Sequence, residues 1–145
     1  MFKSILLPTD GSPLSDKALA MAIEFAQLTG GKITAICVIQ PAPFNAITDV
    51  GVVLDASGYL DEMRLSAEEH VKRVDAAATA AGVPFSGLVA FSTTPYEEII
   101  AAAEQHQCDL ILMASHGRSG FDKFLMGSET QKVLEHTKLP VLVLH

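Results

Sequence analysis

The sequence predicts an α/β fold in which a parallel sheet carries helices on both faces. Five apolar runs of strand length alternate with four segments whose apolar residues recur at helical spacing. Most of these runs are apolar throughout, as is typical of strands buried on both faces. Since strands that alternate with helices pair in parallel through right-handed crossovers, we expect a doubly wound sheet.

The N-terminal residues predict a strand, a helix and a second strand. The first strand lies within residues 2–7 and ends at Pro8-Thr9-Asp10-Gly11. Ser12-Pro13 is typical of an N-cap followed by proline at the first helical position. Helical spacing then continues to Gly30, which ends the helix. Residues 33–39 are the second buried strand.

The middle of the chain predicts a loop, a long helix and a third strand. Residues 42–58 hold apolar side chains scattered among turn formers, so we expect a loop with at most one helical turn. Apolar residues recur at helical spacing over 60–81, and Gly82 ends that helix. Residues 85–91 follow Pro84 and precede a Ser-Thr-Thr run, which indicates the third strand.

The C-terminal third predicts two more helix–strand pairs. The motif T-P-Y-E is a capping box that opens a helix over residues 94–107, and residues 110–113 are the fourth strand. The motif S-E-T-Q is a second capping box, with Ser128 as the N-cap of a helix over residues 128–136. The last strand is Val141–Leu144.

Length and composition exclude several classes of function. At 145 residues we expect one domain, and a net charge of −7 with scattered Lys and Arg argues against nucleic acid and anionic membranes. Cys37 and Cys108 lie in or beside apolar runs without zinc-site spacing, so buried free thiols are expected. Pro8 and Asp10 come too early for a signal peptide, and no run reaches membrane length. We therefore expect a cytoplasmic protein.

Two predicted strands end in residues suited to a ligand site. In a doubly wound sheet, ligands bind beyond the carboxyl ends of strands where the winding reverses. The first strand ends at Pro8-Thr9-Asp10-Gly11 and the fourth at Ala114-Ser115-His116-Gly117. Nine residues then separate Gly117 from Gly127-Ser128, where a helical pattern begins. Because a helix start offers unpaired N–H donors and a positive dipole end, this layout predicts half of a nucleotide site.

Four motifs together have the pattern of one family. They are I-L-L-P-T-D-G-S at the first strand, C-V-I-Q-P at the second, P-Y-E-E-I at the third helix, and S-H-G, nine residues, G-S-E-T before P-V-L-V-L. Over nearly its whole length the chain resembles the universal stress proteins. The resemblance implies a Rossmann-like sheet in strand order 3-2-1-4-5, a dimer paired through the last strands and, in many members, ATP bound in the crevice.

The family's ATP signature is Gly, two residues, Gly, nine residues, Gly and then Ser or Thr. The matching residues in this sequence are Ala114, Gly117, Gly127 and Ser128, so alanine replaces the first glycine. If that backbone required positive φ, Ala114 would cost about 1–2 kcal/mol. If the glycine serves only close approach, one methyl group is tolerable. The sequence thus leaves open whether ATP, another adenine nucleotide or none is bound.

The resemblance also implies roles for individual residues. Asp10 would meet the ribose or a metal ion, Val38 would face the adenine, and Gly127, Ser128 and Thr130 would hold phosphates together with Gly117. A triphosphate in an acidic protein needs Mg²⁺ or Mn²⁺, and Asp10, through water, is the nearest ligand. The candidate cofactor-binding residues are Pro8, Thr9, Asp10, Val38, Ala114, His116, Gly117, Arg118, Gly127, Ser128, Glu129 and Thr130.

Several of these candidate residues could instead have only a structural role. Asp10 could serve only the turn after the first strand, and Ser128 and Gly127 could serve only the helix start. His116 has no nucleophile or carboxylate at recognisable spacing and is expected at the rim. Arg118 and Lys123 could steer phosphates or be ordinary surface charges.

Missing motifs narrow the chemistry. The chain has no G-x-x-x-x-G-K-[ST] loop, no G-x-G-x-x-G after a strand and no nucleophile-elbow serine. The leading hypothesis is a dimeric adenine-nucleotide-binding protein that signals to an unknown protein partner in stress. The alternatives are a slow ATP hydrolase and a nucleotide-free interaction protein.

The last strand predicts self-association. Val141–Leu144 is apolar on both faces, and an exposed edge of that kind is adhesive. Pairing with a second copy about a two-fold axis would satisfy the edge and produce a homodimer. The alternative is a monomer whose edge is protected by a loop.

Overall fold

The computed structural model describes residues 1–41, 56–116 and 126–145. Their strands form one parallel sheet in the order β3-β2-β1-β4-β5, which confirms the expected doubly wound fold. The strands are β1 (Ser4–Pro8), β2 (Lys32–Ile39), β3 (Phe85–Phe91), β4 (Leu110–Ala114) and β5 (Val141–Leu144).

Helices cover both faces of this sheet. They are α1 (Pro13–Thr29), α2 (Ala56–Ala80), α3 (Pro95–Gln105) and α4 (Ser128–His136). One core cluster joins the sheet to α1 and α2, and a second joins the opposite face to α3 and α4. In the described parts of the chain, no helix combines the length and apolarity that crossing a membrane requires.

The central strands explain why the sequence shows unbroken apolar runs. Ile5 and Leu7 of β1 point into the cluster with α1 and α2, whereas Leu6 points into the cluster with α3 and α4. All three side chains are fully buried. The core therefore selects apolar residues at every position of the central strands, not at alternate ones.

Helix α2 begins earlier than predicted. The sequence places residues 56–58 in a loop, but the helix already starts at Ala56. Ser57, Gly58 and Tyr59 are exposed in the first turn of the helix. Because they do not belong to the buried apolar stripe, the apolar periodicity of the sequence does not reveal this turn. The remainder of the predicted loop, residues 42–55, lies outside the described residues.

Both cysteines are buried free thiols, as expected. Burial raises the pKa of the Cys108 thiol, although a contact from the Ser4 hydroxyl partly opposes this effect. Among the residues that the structure describes, no three His, Cys, Asp or Glu side chains lie close enough to form a metal centre.

Asp109 joins the starts of the two strands at the centre of the sheet. Its carboxylate accepts the backbone N–H of Ser4 at 2.9 Å and that of Lys3 at 3.1 Å, and its own N–H donates to the Ser4 carbonyl at 2.8 Å. Burial acts to raise the pKa of this carboxyl, but the N–H donors outweigh burial and hold it below the ordinary value of 3.8. The charged form of Asp109 therefore stabilises the β1–β4 pair.

We expect Asp109→Asn to lower the free energy of unfolding by about 1 kcal/mol at neutral pH, because an amide accepts these N–H groups less strongly. The folded pKa lies below the unfolded one, so this contribution is present above pH 3.8 and is lost as pH falls through the folded pKa. Urea unfolding over a pH series should show the two proteins converging in acid. A gap that stays constant would contradict this role for the charge.

Candidate functional site

A cavity of about 460 Å³ opens where the winding of the sheet reverses. It lies beyond the carboxyl ends of β1, β2 and β4, and the starts of α3 and α4 close its other side. The described residues that line it are Pro8, Thr9, Asp10, Ser15, Ile36, Val38, Gln40, Pro95, Ile99, Met113, Ala114, His116, Gly127, Ser128, Glu129 and Thr130.

Every predicted site residue that the structure describes lines this cavity. The two strand ends supply Pro8-Thr9-Asp10 and Ala114 with His116, and the fourth helix supplies the run from Gly127 to Thr130. Val38 reaches it from β2. Gly117 and Arg118 lie outside the described residues, as does Lys123.

Several lining residues were not predicted. Ile36 and Gln40 flank Val38 at alternate positions along β2, so the period of two in a strand could have found them once Val38 was chosen. Pro95 and Ile99 lie one helical turn apart at the start of α3, which a capping box in the sequence already marks. Ser15 and Met113 carried no separate signal of a ligand site.

The loop after β1 is held by its own polar side chains. The Asp10 carboxylate accepts the N–H of Ser12 at 2.9 Å, and the Thr9 and Ser15 hydroxyls lie 3.1 Å apart. Gly11 has a φ of 73°, and the His70 ring fills the space where a side chain would go. Asp10 therefore serves the turn, and a carboxylate with two oxygens still has acceptor capacity for a ligand.

Ala114 causes no backbone strain at the first signature position. It is the last residue of β4, where it pairs with Leu144, and among described non-glycine residues only Phe2 and Gln107 have positive φ. Its carbonyl accepts the hydroxyl of Thr130 at 3.0 Å. Thr130 is buried, so its hydroxyl proton fastens α4 to β4.

Close packing favours glycine at position 127. Its φ of −59° suits any residue, but a Cβ there would lie 3.0 Å from the Ser115 carbonyl oxygen and 3.2 Å from the His116 Cα. Its N–H donates to that same Ser115 carbonyl at 2.6 Å. The glycine thus lets the start of α4 lie directly against the end of β4.

The prediction that Ser128 caps the fourth helix is wrong. The N-cap is Gly127, whose carbonyl accepts the N–H of Gln131 at 3.1 Å, and the helix makes no side-chain cap bond. The helix spans residues 128–136 as predicted, but the contact between Gly127 and Ser115 places its N-cap one residue earlier than the S-E-T-Q motif indicates. Ser128 is consequently exposed in the first turn and lines the cavity.

The capping box predicted at T-P-Y-E is only partly formed. Thr94 is the N-cap of α3, as expected, but its hydroxyl donates to the Glu97 side chain at 3.0 Å and makes no backbone cap bond. The Tyr96 N–H instead donates to the carboxylate of Glu129, in α4, at 2.9 Å. Lys132 lies 3.4 Å from the other Glu129 oxygen. One carboxylate therefore links the starts of both helices.

The cavity combines helix-start donors with acidic side chains. The first N–H groups of α4 have no acceptor within the helix, and the positive end of its dipole faces the cavity. Among the described lining residues the charged side chains are Asp10 and Glu129, and none is Lys or Arg. His116 Nδ1 lies 3.1 Å from the Ser115 hydroxyl. This arrangement can hold an anion through backbone donors.

Comparison with known proteins gives one family over the whole chain. A sequence profile described as the Universal stress protein family matches residues 1–145. Universal stress protein MJ0531 of Methanocaldococcus jannaschii is 32% identical, with 99% of this chain and 82% of that protein covered. A universal stress protein of Thermus aquaticus is also 32% identical, with 99% and 98% covered.

Solved structures share the fold. The structure of hypothetical protein MJ0577, solved to assign its biochemical function, is 27% identical and has a TM-score of 0.82, with 99% of this chain and 96% of that chain covered. A universal stress protein from Archaeoglobus fulgidus in complex with dAMP is 18% identical, with a TM-score of 0.71 and 100% of both chains covered. The crystal structure of a universal stress protein in complex with cAMP is 19% identical and has a TM-score of 0.68, with 99% of this chain and 97% of that chain covered.

Replacing the two serines that the sequence predicts as N-caps should have different effects on stability. Ser12 accepts the Ser15 N–H at 3.2 Å, so Ser12→Ala should lower the free energy of unfolding by about 1 kcal/mol. Ser128 makes no cap bond, so Ser128→Ala should change it by less than about 0.5 kcal/mol. Equilibrium denaturation of both variants checks this, and equal losses would restore Ser128 as a cap.

Proposed function

The chain belongs to the universal stress protein family, and on that premise we propose that it binds an adenine nucleotide in the cavity between β1 and β4. One observation carries the proposal. The start of α4, which has no side-chain cap bond, and the Asp10 carboxylate line the same cavity, at the point where the winding of the sheet reverses. Relatives of the same fold hold dAMP and cAMP, which supports this class of ligand. The protein would act as a regulatory binding module in stress.

The cavity offers a distinct surface to each part of such a ligand. Phosphate oxygens would accept the first N–H groups of α4 and the exposed Ser128 hydroxyl. The Asp10 carboxylate would accept ribose hydroxyls, and Val38 and Ile36 offer apolar surface to the adenine. Thr130 would contribute through its backbone, since its hydroxyl proton is given to Ala114.

A triphosphate would bring Mg²⁺ or Mn²⁺ with it. The described residues contain no group of three metal-ligating side chains, so most ligands of the ion would be phosphate oxygens and water. Asp10 is the side chain that could approach the ion, through water, beside its contact with Ser12.

The two alternatives from the sequence receive less support. A lost site was suggested by Ala114, yet this residue is unstrained in β4 and the cavity remains open beside it. Hydrolysis needs a base that positions a water molecule, and the contacts of the described lining residues assign none. We therefore propose binding without catalysis.

We also propose that the protein is a homodimer paired through β5. This strand is at one edge of the sheet, and its four apolar residues are each only half-buried in the single chain. Pairing Val141–Leu144 with a second copy would satisfy the edge and bury these side chains.

Calorimetric titration with adenine nucleotides, with and without Mg²⁺, tests the ligand. We expect saturable binding that Asp10→Asn weakens about tenfold, because the ribose contact loses its charge while the amide oxygen can still accept the Ser12 N–H. Asp75→Asn is the matched control, since Asp75 is exposed on α2, where its carboxylate accepts the Thr79 hydroxyl, and it does not line the cavity. Absence of binding at millimolar nucleotide by the folded protein would refute the proposal.

Sedimentation velocity tests the dimer. We expect a dimer for the native chain and a monomer for Val143→Lys, because a lysine on an edge strand opposes pairing. Leu65→Lys also replaces an apolar side chain by lysine, but on an exposed part of α2, and should remain dimeric. Circular dichroism confirms that each variant is folded. A native monomer, or a folded dimer of Val143→Lys, would contradict pairing through β5.

A further inference from the structure

We propose that Glu129 limits the negative charge of the phosphate group that this cavity accepts. The inference rests on the proposed nucleotide site and deepens it. It predicts that the cavity favours nucleotides with few phosphate charges, such as monophosphates and cyclic monophosphates, over a metal-free triphosphate. The reason lies in where one carboxylate is held.

Glu129 is fixed beside the donors that would hold a phosphate. It is the second residue of α4, so its backbone N–H is one of the open donors of that helix while its side chain lines the same cavity. The carboxylate cannot simply rotate away without a cost, because Oε2 accepts the Tyr96 N–H at 2.9 Å. Any phosphate at the α4 start therefore has a fixed negative charge next to it.

No positively charged side chain of the described lining offsets the negative charge of Glu129. Asp10 adds a second carboxylate, and the described lining contains no Lys or Arg. Lys132 lies 3.4 Å from Glu129, but it is one turn further along α4 and does not line the cavity.

The backbone donors and the carboxylate act on a ligand in different ways. The helix start attracts a phosphate mainly at short range, within its first turn. Repulsion from a carboxylate grows with every charge that the ligand adds. Near neutral pH cAMP, AMP and ATP carry about one, two and four negative charges, respectively. The penalty from Glu129 should therefore rise across this series.

Glu129→Gln removes the charge and keeps an oxygen that can accept the Tyr96 N–H. Without metal and at low salt, we expect its affinity gain over the native chain to be below about twofold for cAMP, about threefold for AMP and about tenfold for ATP. The gain for ATP should shrink when Mg²⁺ neutralises part of the triphosphate and when salt screens the charges. A loosened helix contact alone would change all three affinities by the same factor.

Glu135→Gln is the matched control. Glu135 lies on the same helix, is exposed and bonds to Gln131, and it does not line the cavity. Glu135→Gln changes the net charge of the protein by the same amount as Glu129→Gln. Because the charge it removes lies outside the cavity, we expect nearly unchanged affinities for the three nucleotides. An equal rise in ATP affinity would mean that overall charge is responsible and would overturn the role of Glu129.

The outcomes separate the inference from the proposed function. Gains that rise from cAMP to ATP in Glu129→Gln support both. If the native chain binds nucleotides but the gain is equal for all three, absent, or reversed, the inference fails and the nucleotide site stands. If neither protein binds any of the three, the proposed function fails and the inference fails with it.

Discussion

The parallel pairing of β1 with β4 is the contact on which the site depends. These strands lie about a hundred residues apart, yet Ile5 pairs with Leu110, and Asp109 fastens the amino ends of both strands through backbone hydrogen bonds. From this pair the chain winds outward in opposite directions, so the helices that follow the two strands cover opposite faces. The loops at the carboxyl ends diverge and leave a cavity between them. Asp10 and Gly127 face the same cavity because of this reversal.

The starts of α3 and α4 both reach that cavity, but among the described residues only the start of α3 has a carboxylate of the chain bound to one of its N–H groups. The start of α3 receives a carboxylate from within the chain, since Glu129 accepts the Tyr96 N–H. The start of α4 is pressed against β4 through Gly127 and Ser115, and its following N–H groups face the cavity. A helix start is a place where an anion is favoured. One of the two is thus supplied with an anion by the fold itself, and the other remains available to a ligand.

The sequence predicts the layered architecture well, since burial on both faces makes each central strand an unbroken apolar run and short connections separate the elements. The strand order came from family resemblance, because periodicity alone does not say which strands adjoin. Residues at strand ends, such as Asp10 and Ala114, were predictable, since all parallel strands end at one edge. The bond between Glu129 and Tyr96 was not, because it joins residues on separate helices whose approach is a tertiary property. Ser128 was misassigned for a related reason: a backbone contact to Ser115, invisible to a local motif, sets the helix start.

The glycine positions of the ATP signature differ in what they require of the backbone. This difference explains why alanine can replace the first signature glycine without disturbing the fold. At position 114 the backbone is an extended strand that pairs with Leu144, so an alanine costs no strain there. At position 127 the φ is equally ordinary, but a Cβ would press on the Ser115 carbonyl and the His116 backbone. Alanine is therefore compatible with the first position, whereas at the other a side chain would crowd the end of β4 and glycine is favoured. What Ala114 changes is the wall of the cavity, where it adds a methyl group and leaves the carbonyl that anchors α4 in place.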